Sequence, residues 1–538
     1  MRSDSMPDLL LRNARIWTGG TPPFAEAALV RDGRFAFVGA ERDVAVGADV
    51  EVIDAGGRLV LPGFTDGHAH LLNTGLAMRS VDLKDVPSVE EAARRVAERA
   101  ASMPLGTWVR GAGWDQHLWP GAAFPSRHAL DRVAPEHPAV LTHTSGHCIW
   151  VNSAALRIAG VTSGTEAPSG GAIDRDADGE PAGILRDAAS QLVYDAMPRP
   201  TRDERVAALR EAIAHAHLLG VTGVHAMDVG RGELSALRQL RERNELPLRV
   251  RAFLSAARLD DWAGNTRTGD GDELLRIGGV KFFADGALGS MTSWMLAPYE
   301  GTDDTGLALQ PAAELERQVR RCLEHGLAPA IHAIGDRANR EVLDMLERAR
   351  DVSPQLPRRI EHAQLLTPAD IARFAPLGVS ASVQPIHATQ DMAKVDRVWG
   401  GRGRYAYAFA SLLASGATLA FGSDSPVETM DPIAGLHAAV TRRNARGEPP
   451  DGWYRGERIS LEAALSAYAS GCARAAREED GLGRLAPGYW ADFAVLSRDL
   501  FALEDPMDVL DTRVELTAVA GEIVYASEQQ MPARTGRA

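Results

Sequence analysis

Two histidines, His68 and His70, close the run Leu61-Pro62-Gly63-Phe64-Thr65-Asp66-Gly67-His68-Ala69-His70. On an extended strand, side chains at i and i+2 point the same way, so both imidazoles can face one ion. Neutral imidazole is a good metal donor, and the pair reads as part of a metal site. In a chain with 15 histidines a single His-x-His is weak by itself, so the reading depends on donors at the ends of later strands. Lys281, His332, His362 and Asp424 each end or closely follow a short apolar run. An ammonium group has no lone pair to offer a metal. Lys281 is therefore either deprotonated and modified or the cation of a structural ion pair.

These donors need strands to present them. Apolar runs predict strands at Leu59–Phe64, Val221–Ala226, Leu248–Leu254, Gly278–Phe283, Ala328–His332, Arg359–His362, Val379–Gln384 and Thr418–Gly422. Between several of them, Asp203–Leu219, Gly232–Arg243, Pro311–His325 and Asp336–Arg350 carry apolar residues at i, i+3, i+4 spacing, as surface helices do. Strands alternating with helices imply a parallel sheet, and eight of them imply a closed (β/α)8 TIM barrel of the α/β class. The candidate ligands then meet at the mouth where the strands end.

Two parts fall outside that count. Leu9–Trp17 and Ala28–Arg34, the latter with an Asp-Gly hairpin signal, read as short strands, as do Gly488–Leu496 and Val514–Tyr525. Neither end has enough strands to bury a core alone, so residues 1–58 and 481–538 are expected to combine into a small β-sandwich. Residues 59–74 hold the first barrel strand and the histidine motif, and 206–480 the rest of the barrel. The intervening 75–205 is far too long for a loop and is expected to be an inserted subdomain covering the active site.

Five segments resemble the amidohydrolase superfamily, and within it the YtcJ-like branch, amidohydrolase family 3. They are Pro62–His70, Val280-Lys281-Phe282-Phe283-Ala284-Asp285-Gly286-Ala287-Leu288-Gly289-Ser290, Ile331-His332-Ala333-Ile334-Gly335-Asp336, Ile360-Glu361-His362-Ala363-Gln364 and Phe421-Gly422-Ser423-Asp424-Ser425-Pro426. The resemblance runs from about Asp8 to about Tyr525. It implies that His68 and His70 bind the more buried of two metals and that His332 and His362 bind the other. It also implies that Lys281, carboxylated by carbon dioxide, bridges both, and that Asp424 is both ligand and proton shuttle. The metal is expected to be divalent, zinc first, with one or two ions per chain. Metal-activated hydroxide would then attack a carbonyl of a small-molecule amide, N-acyl or N-formyl, with Asp424 delivering the proton to the leaving nitrogen. Deaminases and ester or lactone hydrolases use the same chemistry, although superfamily deaminases usually lack the lysine. A non-catalytic regulatory or binding protein on this scaffold is the rival from another class.

Other residues carry paired readings. In the segment Leu141–Ser153, His147 either polarises a substrate carbonyl or serves folding, and the role of His143 is open. Trp114 and Asp115 either line the pocket or pack the subdomain, and Asp285 either touches substrate or shapes the loop after Lys281. His215 and His217 read as structural, while His225 is placed at a strand end where it could face the pocket. Asp174-Arg175-Asp176-Ala177-Asp178-Gly179 begins like a calcium loop, but Leu185 stands where the twelfth-position acid belongs, so a hairpin turn is expected.

Composition agrees with a soluble enzyme: 45% hydrophobic and 24% charged residues in 538. A net charge of −14 argues against a nucleic-acid partner. Three widely separated cysteines encode no disulfide framework, and the N-terminal stretch Met1–Arg12 lacks the basic and apolar regions of a secretion signal. With no apolar stretch long enough to span a membrane, the expected location is the cytoplasm. The expected assembly is a homodimer, on general grounds of symmetry.

Overall fold

The structure is a computed structural model that describes residues 8–45, 47 and 50–528. The outermost parts of the expected sandwich segments, 1–7 and 529–538, and with them much of the stretch read for a secretion signal, lie outside the described residues. Two compact units emerge, one formed by residues up to Thr74 together with those from Leu209 onward, the other by Gly75–Ala208.

The first unit is built on eight parallel strands in sequential order: β1 (Phe64–Ala69), β2 (Val221–Val229), β3 (Arg249–Ser255), β4 (Leu275–Phe283), β5 (Pro329–Ala333), β6 (Arg358–His362), β7 (Val379–Val383) and β8 (Leu419–Phe421). They are buried along almost their whole length because helices cover the outside and side chains fill the inside, which is why they read as continuous apolar runs. The helices Ala312–Glu324 and Asp336–Arg348 bury one stripe each, Leu315, Val319, Cys322 and Leu323 in the former. Past the ends of β1 and β8, the His70 amide donates to the Ser425 carbonyl at 2.8 Å and the Asp424 amide to the His68 carbonyl at 2.7 Å. These bonds join the first and last strands.

One strand differs from its expected course. Leu59–Phe64 is not a single barrel strand: Leu59–Pro62 pairs with Arg15–Trp17 and Phe493–Leu496 in a separate sheet, and the barrel strand begins only at Phe64. The break falls at Gly63, where a Cβ would lie 2.3 Å from the Thr222 side chain. An apolar run carries no mark of which sheet each half joins.

The chain ends do combine. Arg34–Gly39, Ala27–Arg31, Asp8–Arg12 and Val50–Asp54 form a four-stranded sheet. A six-stranded sheet runs Glu522–Ala526, Val514–Val519, Phe493–Leu496, Leu59–Pro62, Arg15–Trp17, Phe24–Ala25. Leu9, Leu11, Val30 and Phe35 of the first share a core with Ile16, Val60, Phe493 and Leu516 of the second. Asp32 and Gly33, with φ of 48° and 74°, make the hairpin that the Asp-Gly pair predicts.

The inserted unit has its own six-stranded sheet around a tryptophan-rich core of Trp114, Trp119 and Trp150. The calcium-like segment is a hairpin turn between Gly171–Arg175 and Pro181–Asp187, with Asp176 accepting from the Asp178 and Glu180 amides. Among the described residues no helix is long and apolar enough to cross a membrane.

Candidate metal centre

The barrel strands bring all six predicted ligands into one connected cluster. His68 is fully buried on β1, and its Nδ1–H donates to Glu361 Oε2 at 2.6 Å. That bond leaves Nε2 as the free lone pair, 3.4 Å from Asp424 Oδ1 and 3.5 Å from Lys281 Nζ. His70 Nε2 lies 3.3 Å from the same Asp424 oxygen. On β6, His362 Nδ1 donates to Gln384 Oε1 at 2.8 Å, so its Nε2 is likewise unengaged. His332 on β5 donates from Nε2 to the Gly286 carbonyl at 3.0 Å, which leaves its Nδ1. The His332 and His362 rings sit 4.5 Å apart, centroid to centroid.

Donor atoms of His68, His362 and Asp424 all fall within 4.8 Å of one another. His68, His332 and His362 each present one bare nitrogen while a partner holds the other, the arrangement that orients imidazoles toward a metal. The residues therefore fit a divalent ion. Burial, with the Lys281 charge adding to it, lowers the His68 pKa to about 4. His332 is lowered to about 3 for the same reasons, and His362 falls well below its ordinary value through burial and the neighbouring histidines. These rings are neutral near pH 7, as ligation requires. Burial alone would raise the Asp424 carboxyl, but the His70 hydrogen bond and the surrounding imidazoles hold it well below the usual range, so it is ionised. Burial lowers the Lys281 pKa to about 8. His362 and Asp424 adopt φ of 71° and 60°, left-handed conformations that cost free energy and cluster at functional sites.

Several expectations change. Asp285 is fully buried, and its two oxygens accept the amides of Ile334, Gly335 and Trp294 at 2.8–3.0 Å. It braces the loops after β4 and β5. Burial raises its carboxyl to about 7 against those bonds. Trp114 is a core residue, 0% exposed, with its indole N–H on the Leu141 carbonyl at 2.8 Å. The packing alternative holds because the ring is enclosed by Trp119, Trp150 and His143. Asp115 caps the short turn Gln116–Leu118 by accepting from the His117 amide. His143 is held between Gln116 and Ser145 within the inserted unit. His147 is largely exposed in that unit, with Nδ1 on Asp187 at 2.8 Å. His225 lies within β2, almost fully buried, with its Nδ1 facing the Arg359 guanidinium at 2.8 Å. It faces the barrel interior and not the mouth.

Sequence reasoning missed the residues that hold the ligands. Glu361 and Gln384 stand beside expected strand ends but carry no metal-ligand spacing. Asp66, inside the first motif, accepts from the Ser423 hydroxyl and amide and so sets the turn leading to Asp424. His387 follows β7 and stacks on His362 at 6.2 Å, with Nε2 buried, unpartnered and 4.0 Å from Asp424 Oδ2. Its signal was a histidine just past a predicted strand end, the criterion that found the other ligands.

With this geometry established, comparison with known proteins is decisive for class. The profile of the amidohydrolase family matches residues 51–525, and the chain belongs to that family. YtcJ of Bacillus subtilis (strain 168), itself named as an amidohydrolase, is 33% identical over 484 residues, 89% of this chain and 91% of its own. An N-substituted formamide deformylase of Arthrobacter pascens is 30% identical, over 92% of this chain and 94% of its own. Among solved structures, an uncharacterized metal-dependent hydrolase from Pyrococcus horikoshii superposes with a TM-score of 0.79 at 28% identity, over 92% of this chain and 99% of that one.

Proposed function

We propose that this protein hydrolyses a carbon–nitrogen bond of a small molecule, an amide of the N-acyl or N-formyl kind, at a divalent metal centre. His68, His70, Lys281, His332, His362 and Asp424 would hold the metal. The observation that carries the reading is the approach of the His68, His362 and Asp424 donor atoms to within 4.8 Å, with the opposite ring nitrogens of both histidines already engaged. When bound, a divalent ion such as zinc supplies polarisation of a carbonyl and a water of lowered pKa. Asp424, held ionised beside His68 and His70, takes a proton from water and returns it to the departing nitrogen.

Lys281 enters the proposal as a carbamate. Burial, against the pull of the Glu361 and Asp424 carboxylates, makes its neutral amine accessible near pH 8, and its Nζ lies 3.5 Å from His68 Nε2. The ammonium first loses one proton to solvent; the neutral amine nitrogen then bonds to the carbon of carbon dioxide and loses a second proton, leaving a carbamate whose single negative charge is shared by two oxygens. The Arthrobacter relative is named as a deformylase, which makes N-substituted formamides the first substrates to try.

The test is metal content per chain followed by assay of a panel of formamides, N-acyl amides and amino-heterocycles. About two equivalents with formate released supports the reading. About one equivalent, with ammonia released from amino-heterocycles, would replace it with a deaminase. No metal after reconstitution with zinc and bicarbonate would remove the enzymatic reading.

A further inference from the structure

Beneath the metal centre, Arg359 lies in the barrel interior with 1% of its surface exposed. Its Nε donates to Glu361 Oε1 at 2.5 Å, and Nη2 reaches Glu361 Oε2 at 3.1 Å. Nη2 also donates to the Gly67 carbonyl at 2.6 Å and to Ser382 Oγ at 2.7 Å, and Nη1 to His225 Nδ1 at 2.8 Å. The guanidinium carbon sits 4.9 Å from the centre of the Phe253 ring. One side chain thus ties β1, β2, β6 and β7 together and packs on β3.

A guanidinium in the middle of a barrel is costly to desolvate and is retained only where its donors are matched. Here each of its nitrogens has a partner, and the carboxylate it grips in a two-point fork is the one that holds His68. Arg359 and Glu361 are two apart on β6, so both point inward. The chain of contact is Arg359 to Glu361 to His68 Nδ1, with His68 Nε2 left for the metal.

We infer that Arg359 is a positioning residue for the metal centre. By clamping Glu361 it fixes the orientation and tautomer of His68 and so sets the affinity of the ion that His68 binds. The inference rests on the metal-centre reading above. Removal of a partner one bond beyond a metal-bound histidine typically weakens metal binding by about 10–100-fold. Lysine at 359 keeps the charge but cannot make the fork and reach Gly67 and His225 together.

The experiment is zinc titration in competition with a chromophoric chelator, on wild type, Arg359→Lys, Glu361→Gln and the double variant, with circular dichroism and melting of the metal-free proteins as the fold control. Arg359→Lys is expected to weaken one zinc equivalent by about 10–100-fold. In the Glu361→Gln background the same change is expected to cost less than about threefold, because the residue acts through Glu361. Equal losses in both backgrounds, or a lowered melting temperature with unchanged zinc affinity, would reduce Arg359 to a structural brace and overturn the inference. If Arg359→Lys does not fold, Glu361→Gln decides alone: unchanged affinity for both equivalents overturns the inference. Wild type binding no zinc would instead sink the metal reading itself, and this inference with it.

Discussion

The backbone amide of Asp424 donates to the carbonyl of His68 at 2.7 Å, while the Asp424 carboxylate lies 3.4 Å from Nε2 of that same histidine. The contact that closes the barrel between its first and last strands also assembles the candidate ligands. Barrel closure and metal binding are therefore coupled here, and a fault in one should be read in the other.

Gly422 is where that coupling can be tested. A Cβ at this position would lie 2.4 Å from the His68 amide nitrogen and 2.9 Å from Asp66 Oδ1, neither able to move freely. Gly422→Ala is expected to cost about 1–3 kcal/mol through overpacking. It should also lower the zinc bound per chain, measured by elemental analysis beside a thermal melt. Normal zinc content in a destabilised variant would show the two to be separable.

Asp424→Asn keeps the shape of the side chain but cannot accept a proton as the carboxylate does. The expected loss in kcat is about 10²–10⁴-fold on whichever amide the wild type turns over. Metal content measured on the same sample separates a lost shuttle from a lost ligand. Wild-type turnover would remove Asp424 from the proposed chemistry.

His387 joins the site without having been predicted there. Its buried Nε2 has no partner, and Asp424 Oδ2 is 4.0 Å away, beyond a hydrogen bond. If that nitrogen serves bound substrate, His387→Ala raises KM or lowers kcat at unchanged zinc content, by about tenfold for one lost hydrogen bond. Unchanged kinetics would make it packing against His362.

Trp114 marks the inserted unit as separately cored. Trp114→Ala should destabilise that unit by about 3–5 kcal/mol, seen as faster proteolysis within residues 75–208. Zinc content should stay at the wild-type level, since no ligand lies in that segment. Loss of zinc in this variant would contradict the division.

The pH dependence of stability has a contributor away from the metal. His217 is buried, with Nε2 on the Pro247 carbonyl at 3.1 Å, and burial lowers its pKa from 6.5 to about 4. The unfolded chain takes up its proton near 6.5 while the folded chain refuses it until about 4. This group's contribution is thus fully present above pH 6.5 and is lost as pH falls toward 4. Between pH 7.5 and 5.5 that is about 1 kcal/mol. His217→Gln, which keeps a donor for Pro247, should flatten the wild-type decline in melting temperature over that range. An unchanged slope would mean that the ring is not held neutral.

Much was determined by the sequence alone. Seven of the eight barrel strand positions followed from apolar runs, the first being displaced to Phe64–Ala69, and the helices followed from their spacing. Asp336–Arg348, for example, falls within two residues of its expected end because its stripe of buried positions is periodic. The positions proposed as ligands could be picked out because metal chemistry restricts the residue types and strands restrict where they stand, and three of them, His68, His362 and Asp424, bring donor atoms within 4.8 Å of one another. What only the tertiary structure decided is how each side chain spends its polar atoms. Nothing local distinguishes Asp285, consumed by three backbone amides, from a carboxylate free to meet substrate. Nothing local shows that Arg359 and His225 meet inside the barrel, or that Leu59–Pro62 leaves it for another sheet. Those outcomes depend on partners outside the local segment, 49 and 50 residues away for Asp285 with Ile334 and Gly335 and 134 for Arg359 with His225, whose approach is set by packing of the whole fold, whereas periodicity and ligand type are written within a few residues of themselves.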